Sequence, residues 1–205
     1  KGHSDTETLL VCISNWGVKE TLSKIKGMFA FALWDSIQSK LYLARDAMGE
    51  KPLYWGWAGK DIVFGSELKA LRKHPNFTKE ISIEALNHFF QFMYVPAPWS
   101  IHSGVYKLEP GTFLTVHKQP PDRCLTEPLR PGSVYSNIKI ERYFSLADEF
   151  ERLSEKQVSS ELEAISSLEE TLLNSIESQM LSDVPLGAFL SGGIDSSTIV
   201  ALMQS

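Results

Sequence analysis

Cysteine is nearly absent: the chain has two in 205 residues, Cys12 and Cys124, too far apart to read as a metal-ligand pair. That argues against a zinc module and against a disulfide framework. Cys12, among Leu9, Leu10, Ile13 and Trp16, reads as a small core residue. The histidines show no ligand spacing; His3, His74, His88, His102 and His117 are scattered. No apolar run approaches the roughly 18 residues of a membrane-spanning helix, and no signal-peptide pattern opens the sequence. An excess of one charge is also missing. Against 25 acidic residues stand 20 basic ones, and a net charge of −5 gives no reason to expect a nucleic acid or an anionic membrane as partner. No internal repeat is present. Length alone suggests one to two domains, and the expected location is the cytoplasm, with reduced thiols.

What is present is concentrated in Ser191-Gly192-Gly193-Ile194-Asp195-Ser196-Ser197. A short apolar run, Pro185-Leu-Gly-Ala-Phe-Leu190, precedes it, and Thr198-Ile-Val-Ala-Leu-Met203 follows. This order predicts strand, glycine turn, then helix. Adjacent glycines allow backbone angles closed to other residues and let a ligand approach the main chain. A helix starting near Asp195 aims unpaired N–H groups and a partial positive charge into the same space. With the serine hydroxyls, the segment suits phosphate oxygens. A P-loop is excluded because no lysine follows Gly193. The dinucleotide fingerprint is excluded because Gly192 and Gly193 adjoin and no third glycine follows. The bland alternative is a serine-rich helix cap after a buried strand. The segment resembles the SGGxDS signature of the PP-loop ATP pyrophosphatases. That resemblance implies an ATP cradle over Leu190, Ser191, Gly192, Gly193, Asp195, Ser196 and Ser197, with Asp195 also a Mg2+ ligand.

Along the rest of the chain, Ser4-Asp-Thr-Glu7 reads as a capping box opening a helix to about Trp16. Phe29, Phe31 and Leu33 alternate with Ala30, Ala32 and Trp34, a strand with both faces buried. A polar turn over 36–40 leads to a partner strand over 41–46, and two further strands are expected at 53–57 and 62–65. Ser66 is expected to cap a helix through about Lys73. Ser82 is expected to cap another that buries Leu86, Phe89, Phe90 and Met93. Strands at 105–108 and 112–116 flank Glu109-Pro-Gly111, a turn candidate. Prolines at 120, 121, 128 and 131 mark a linker. A helix is expected over 159–181, capped by Ser166 or Ser167, with Leu168, Leu172, Ile176 and Met180 as its apolar stripe.

In order, Gly2-His-Ser-Asp-Thr-Glu7, Gly27-Met-Phe-Ala-Phe-Ala-Leu-Trp-Asp35, Leu43-Ala-Arg-Asp46, Lys51-Pro-Leu-Tyr54, Ser66-Glu-Leu-Lys-Ala-Leu71 and 182–197 resemble the glutamine-hydrolysing asparagine synthetases. The resemblance covers nearly the whole chain and is weakest over 118–165. It implies an α+β/α/β protein. Residues 1–117 correspond to the C-terminal part of an αββα class II glutamine amidotransferase sandwich. Residues 118–142 form the Pro-rich linker. Residues 143–205 begin a parallel PP-loop (adenine nucleotide α-hydrolase-like) domain with its first helix, strand, loop and helix. Without an initiator methionine, the chain reads as an internal fragment, inactive alone, with the nucleophilic cysteine of glutamine hydrolysis expected upstream and no catalytic residue within it. Tyr94-Val-Pro-Ala-Pro98 and the long linker look more like bacterial paralogues of the family, some from surface-polysaccharide gene clusters.

The implied reaction is ATP- and glutamine-dependent amidation of a carboxylate, aspartate or another acid, through an acyl-adenylate. The implied small molecules are glutamine, ATP and the acceptor, and a homodimer is compatible with the family. Asp5 matches the aspartate that grips the α-amino group of glutamine; its alternative role is to complement the helix dipole. Glu67 either lines an ammonia route or serves as a first-turn helix acid. Arg45 and Asp46 are expected as a structural ion pair. Two other readings remain open at this level: a β-lactam-synthetase-like adenylating enzyme without glutaminase activity, and a non-catalytic scaffold.

Overall fold

A computed structural model describes residues 4–118, 121, 125–154, 158 and 160–204. The expectations for Gly2, His3 and Cys124 fall outside these residues. The chain divides into two compact units, 1–146 and 147–205.

The first unit opens with α1 (Asp5–Lys24), capped by the Ser4 hydroxyl, which accepts from the Thr6 N–H at 3.2 Å. It continues past the expected end at Trp16 because the helix resumes after a break at Gly17, whose φ is 79°. The strands are β1 (Ala30–Asp35), β2 (Lys40–Arg45), β3 (Tyr54–Ala58), β4 (Asp61–Gly65), β5 (Val105–Lys107), β6 (Thr112–His117), β7 (Val134–Tyr135) and β8 (Ile138–Arg142). Two antiparallel sheets result, one ordered β1-β2-β6-β8-β7 and one ordered β4-β3-β5. Side chains alternate across them as pleated strands require. Leu43, Leu114, Val116, Ile138 and Ile140 of the larger sheet meet Trp55, Trp57 and Tyr106 of the smaller in one buried cluster. On the outer face of the larger sheet, Ala44 and Phe113 meet Val18 and Leu22 of α1. The order of layers is therefore helix, sheet, sheet.

Several expectations change. β1 is an edge strand with one covered face: Trp34 is 57% exposed, because three strands cannot cover five. After β4 the helix is a single turn, α2 (Leu68–Leu71), and Glu67, not Ser66, occupies the capping position. Ser82 does cap α3 (Ile83–Phe92), accepting from the Ala85 N–H at 3.2 Å. The buried residue of α3 is Ala85, however, while Phe89, Phe90 and Met93 are exposed. The turn expected at Glu109-Pro-Gly111 is present, with Gly111 at φ 65°, but the strands it separates, β5 and β6, lie in different sheets. Residues 134–142, assigned to the linker, form β7 and β8, with β8 bonded to β6 from Thr112↔Arg142 to Val116↔Ile138. Proline density upstream concealed a strand whose alternate residues, Ile138 and Ile140, are wholly or nearly buried.

Arg45 and Asp46 do not form the expected pair. The Arg45 guanidinium donates to the carbonyls of Lys51 (2.8 Å), Leu108 (2.7 Å) and Gly49 (2.5 Å). The Asp46 carboxylate accepts from the N–H groups of Glu50 and Lys51, both at 2.9 Å. Both side chains bind the backbone of the 46–51 loop instead of each other. Burial, with the Asp46 charge second, pushes the Tyr143 hydroxyl above its ordinary pKa. It therefore stays protonated and donates to the Arg45 carbonyl at 2.8 Å.

α4 (Leu146–Ser154) spans the boundary between the units; the second unit goes on with α5 (Glu161–Gln179) and α6 (Ile194–Leu202). Ser160 caps α5, accepting from the Glu163 N–H at 3.2 Å, in place of Ser166 or Ser167. Leu172, Ile176 and Met180 are half-buried and Leu168 is exposed. The run 185–190 forms no strand. A strand exists through bonds to a neighbour, and no neighbouring strand lies among the described residues of this unit.

Candidate functional site

The glycine loop and the helix that follows it form as the sequence requires. Gly192 has φ 82°, a left-handed angle that glycine adopts without steric cost. Gly193 takes the capping position of α6 with φ −79° and ψ 163°, and no side chain caps the helix there. The first intrahelical bond near the start runs from the Ser197 N–H to the Gly193 carbonyl at 3.1 Å. The N–H groups of residues 194–196 thus precede any intrahelical acceptor and face outward with the positive end of the helix dipole.

The hydroxyls of Ser191 and Ser196 lie 3.0 Å apart, and Ser196 also donates to the Gly193 carbonyl at 3.1 Å. Nothing lies within 4 Å of where a Cβ on Gly192 would sit, so the space beside that glycine is open. Asp195 stands exposed in the first turn of α6. The donor set fits a chain of phosphates: backbone N–H groups, hydroxyls and open space beside Gly192. It also fits Mg2+, which commonly takes one or two carboxylates and completes its octahedron with waters and phosphate oxygens. Among the described residues no group of three or more His, Cys, Asp or Glu side chains could hold a metal by itself. A cap supplied by glycine rather than Ser, Thr, Asp or Asn was the sequence signal that these N–H groups stay open.

Asp5 occupies the first turn of α1. Its Oδ1 accepts from the Thr6 N–H at 2.6 Å and the Thr6 hydroxyl at 3.2 Å, and its Oδ2 bonds to no described residue. Glu67 stands at the N-terminus of α2 and pairs with Lys69 at 2.5 Å. Among the described residues, no hydrogen bond or ion pair joins Asp5 to Glu67. Both belong to the first unit, and Ser191–Ser197 belongs to the second.

His102 is a polar residue of the first unit that the sequence did not single out. It is 7% exposed, its ring packs edge-on to Phe77 at 5.3 Å between centroids, and its Nδ1 is buried without a partner among the described residues. Burial lowers its pKa, a bond to the Glu80 backbone opposes this, and the Arg72 charge reinforces it. A histidine whose folded pKa lies below the unfolded value of about 6.5 contributes full stability above that value and loses it as pH falls toward the folded pKa. Melting temperature is therefore expected to drop between about pH 7 and about pH 5, with a shallower drop in His102→Gln. Equal slopes for the two proteins would remove His102 as the cause.

The chain belongs to the glutamine amidotransferase domain family, whose model matches residues 1–123. An asparagine synthase model matches residues 167–205, which include the glycine loop. The chain is 36% identical over 202 residues to asparagine synthetase [glutamine-hydrolyzing] 1 of Bacillus subtilis, covering 98% of this chain and 28% of that protein. It is 30% identical over 205 residues to putative asparagine synthetase [glutamine-hydrolyzing] 2 of Methanocaldococcus jannaschii, covering 98% of this chain and 35% of that one. It thus spans about a third or less of the curated relatives it matches. Among solved structures, glutamine phosphoribosylpyrophosphate amidotransferase from B. subtilis aligns with 100% of this chain and 38% of its own, at TM-score 0.43 and 19% identity.

Proposed function

We propose that this chain is the part of a glutamine-dependent carbon–nitrogen ligase in which a glutamine amidotransferase portion, 1–117, leads to the start of an ATP-binding synthetase portion from 143. The carrying observation is the open glycine loop at the uncapped start of α6, within a chain whose first 123 residues match the amidotransferase family. A carboxylate does not expel oxide when an amine attacks it. Its adenylate expels AMP, so activation by ATP makes amidation feasible. In this reading, the N–H groups of residues 194–196 and the hydroxyls of Ser191, Ser196 and Ser197 hold the polyphosphate. Asp195 holds Mg2+, which supplies charge neutralisation as pyrophosphate departs.

Asp5 then receives the α-ammonium of glutamine through its carboxylate, and Glu67 lines the route of released ammonia. Ammonia must stay neutral to attack, which favours a route sheltered from water. The favoured acceptor is aspartate and the location cytoplasmic, and a homodimer is compatible with this reading. The curated relatives named above are called asparagine synthetases, which favours this reading over a β-lactam-synthetase-like one.

The test uses the intact parent polypeptide with ATP, Mg2+ and ammonia, offered aspartate or a uronic acid. Acceptor-dependent pyrophosphate release is expected, reduced on the order of a hundredfold or more in Asp195→Asn. Unchanged release in that variant would overturn the assignment of the loop. Release with neither acid would overturn the acceptor class.

A further inference from the structure

A cavity of about 580 Å³ opens on the first unit, within the ~300–1,000 Å³ usual for small-molecule sites. Residues of β3, β5 and the start of α3 line it, and neither Asp5 nor Glu67 is among them. Main-chain bonds tie its walls together: the Ser82 N–H donates to the Ile101 carbonyl and the Ser103 N–H to the Glu80 carbonyl, both at 3.0 Å. Trp57, Trp99 and Tyr106 supply the aromatic part of the lining. The Trp57 Nε1–H and the Tyr106 hydroxyl are committed to the carbonyls of Pro121 and Leu125, at 3.3 and 2.7 Å. What these two rings add to the lining is therefore apolar.

The polar part keeps hydrogen-bonding capacity of both kinds. Ser82 and Ser100 are buried, and each Oγ accepts one main-chain N–H, from Ala85 at 3.2 Å and from His102 at 3.3 Å. Each retains a hydroxyl proton to donate. The Glu80 and Glu84 carboxylates have no partner among the described residues. His102, whose buried Nδ1 also lacks a partner among those residues, stands in the same lining. A neutral imidazole nitrogen donates or accepts according to tautomer. No lysine or arginine is among the described lining residues, so a phosphate or carboxylate finds no counter-charge. An ammonium group would satisfy the two acids but not the serine donors. A hydroxyl answers both, since it donates and accepts. We propose that this cavity binds a neutral saccharide, with hydroxyls on Ser82, Ser100, His102, Glu80 and Glu84 and a C–H face of the ring on the aromatic lining.

The test is calorimetric titration of the intact parent polypeptide with D-glucose, D-galactose and D-mannose, each beside its uronate, and with cyclohexylamine. Saturable binding of at least one neutral sugar is expected, with the corresponding uronate at least about tenfold weaker because it meets two carboxylates. Glu80→Gln together with Glu84→Gln should weaken that sugar on the order of tenfold. Both side chains are exposed, so the free variant should melt within a few degrees of the parent. Saturation by none of the three sugars, equal binding of a sugar and its uronate, or sugar binding unchanged in the double variant would each overturn the assignment. Saturation by cyclohexylamine in place of every sugar would give the cavity to cations and overturn it as well.

Discussion

Replacing Gly56 by alanine is expected to destabilise the first unit by about 3 kcal/mol or more, a large part of the 5–15 kcal/mol typical of a folded domain. Gly56 is buried in β3 and registers with Val105 of β5. A Cβ there would sit 2.2 Å from the Gly104 carbonyl oxygen and 2.7 Å from the Val105 Cα. Both obstacles are backbone, so no side chain can swing away. Relief requires β5 to move off β3, which breaks the Trp57 N–H bond to the Gly104 carbonyl (3.1 Å). It also separates Tyr106 from Trp55, whose rings lie 5.8 Å apart in the core. Thermal melts followed by near-ultraviolet circular dichroism should show a loss on the order of 10 °C. Gly104→Ala provides the contrast: it meets nothing within 4 Å and suffers only its φ of 72°, a cost of roughly 1–2 kcal/mol. If Gly56→Ala melts like the parent, the two strands do not approach as described.

Asp46→Asn is the second large effect, at about 2–4 kcal/mol. The side chain is fully buried, and each carboxylate oxygen receives one backbone N–H from the 46–51 loop. An amide of the same shape must turn its NH2 toward one of those donors, leaving a buried clash where a charge-assisted bond stood. The main chain of Asp46 adds to the cost of any shift: its N–H donates to Phe29 and its carbonyl accepts from Gly111, both at 2.9 Å. A fall in urea midpoint at unchanged slope is the expected result, with faster amide exchange at Glu50 and Lys51. Exchange at those two amides equal to the parent's would show that the carboxylate does not hold the loop.

The buried carboxylate also shows why only part of the fold was legible in the sequence. Adjacent opposite charges suggested a pair, whereas the loop that follows offers a better set of partners, and loops do not announce their path through periodicity. The same limit applies to α3. Its spacing marked Phe89, Phe90 and Met93 as one apolar face, but spacing cannot say whether anything covers that face. Among the described residues the core takes Ala85 instead.

By itself, the sequence determined what short-range physics controls. Ser4 and Ser82 start helices because a hydroxyl beside unpaired N–H groups does so in almost any context. The paired glycines before α6 turn the chain because φ 82° at Gly192 is costly for other residues. Strands β1–β6 were legible through alternation and turn residues. Only the tertiary structure decided which strands share a sheet. β5 and β6 are consecutive yet lie in different sheets, and β8, hidden behind a proline-rich stretch, completes the larger one. Hydrogen-bond partners far apart in sequence make that choice, and the free energy of burying Ile138 and Ile140 against Trp55 and Trp57 exists only once both sheets are in place.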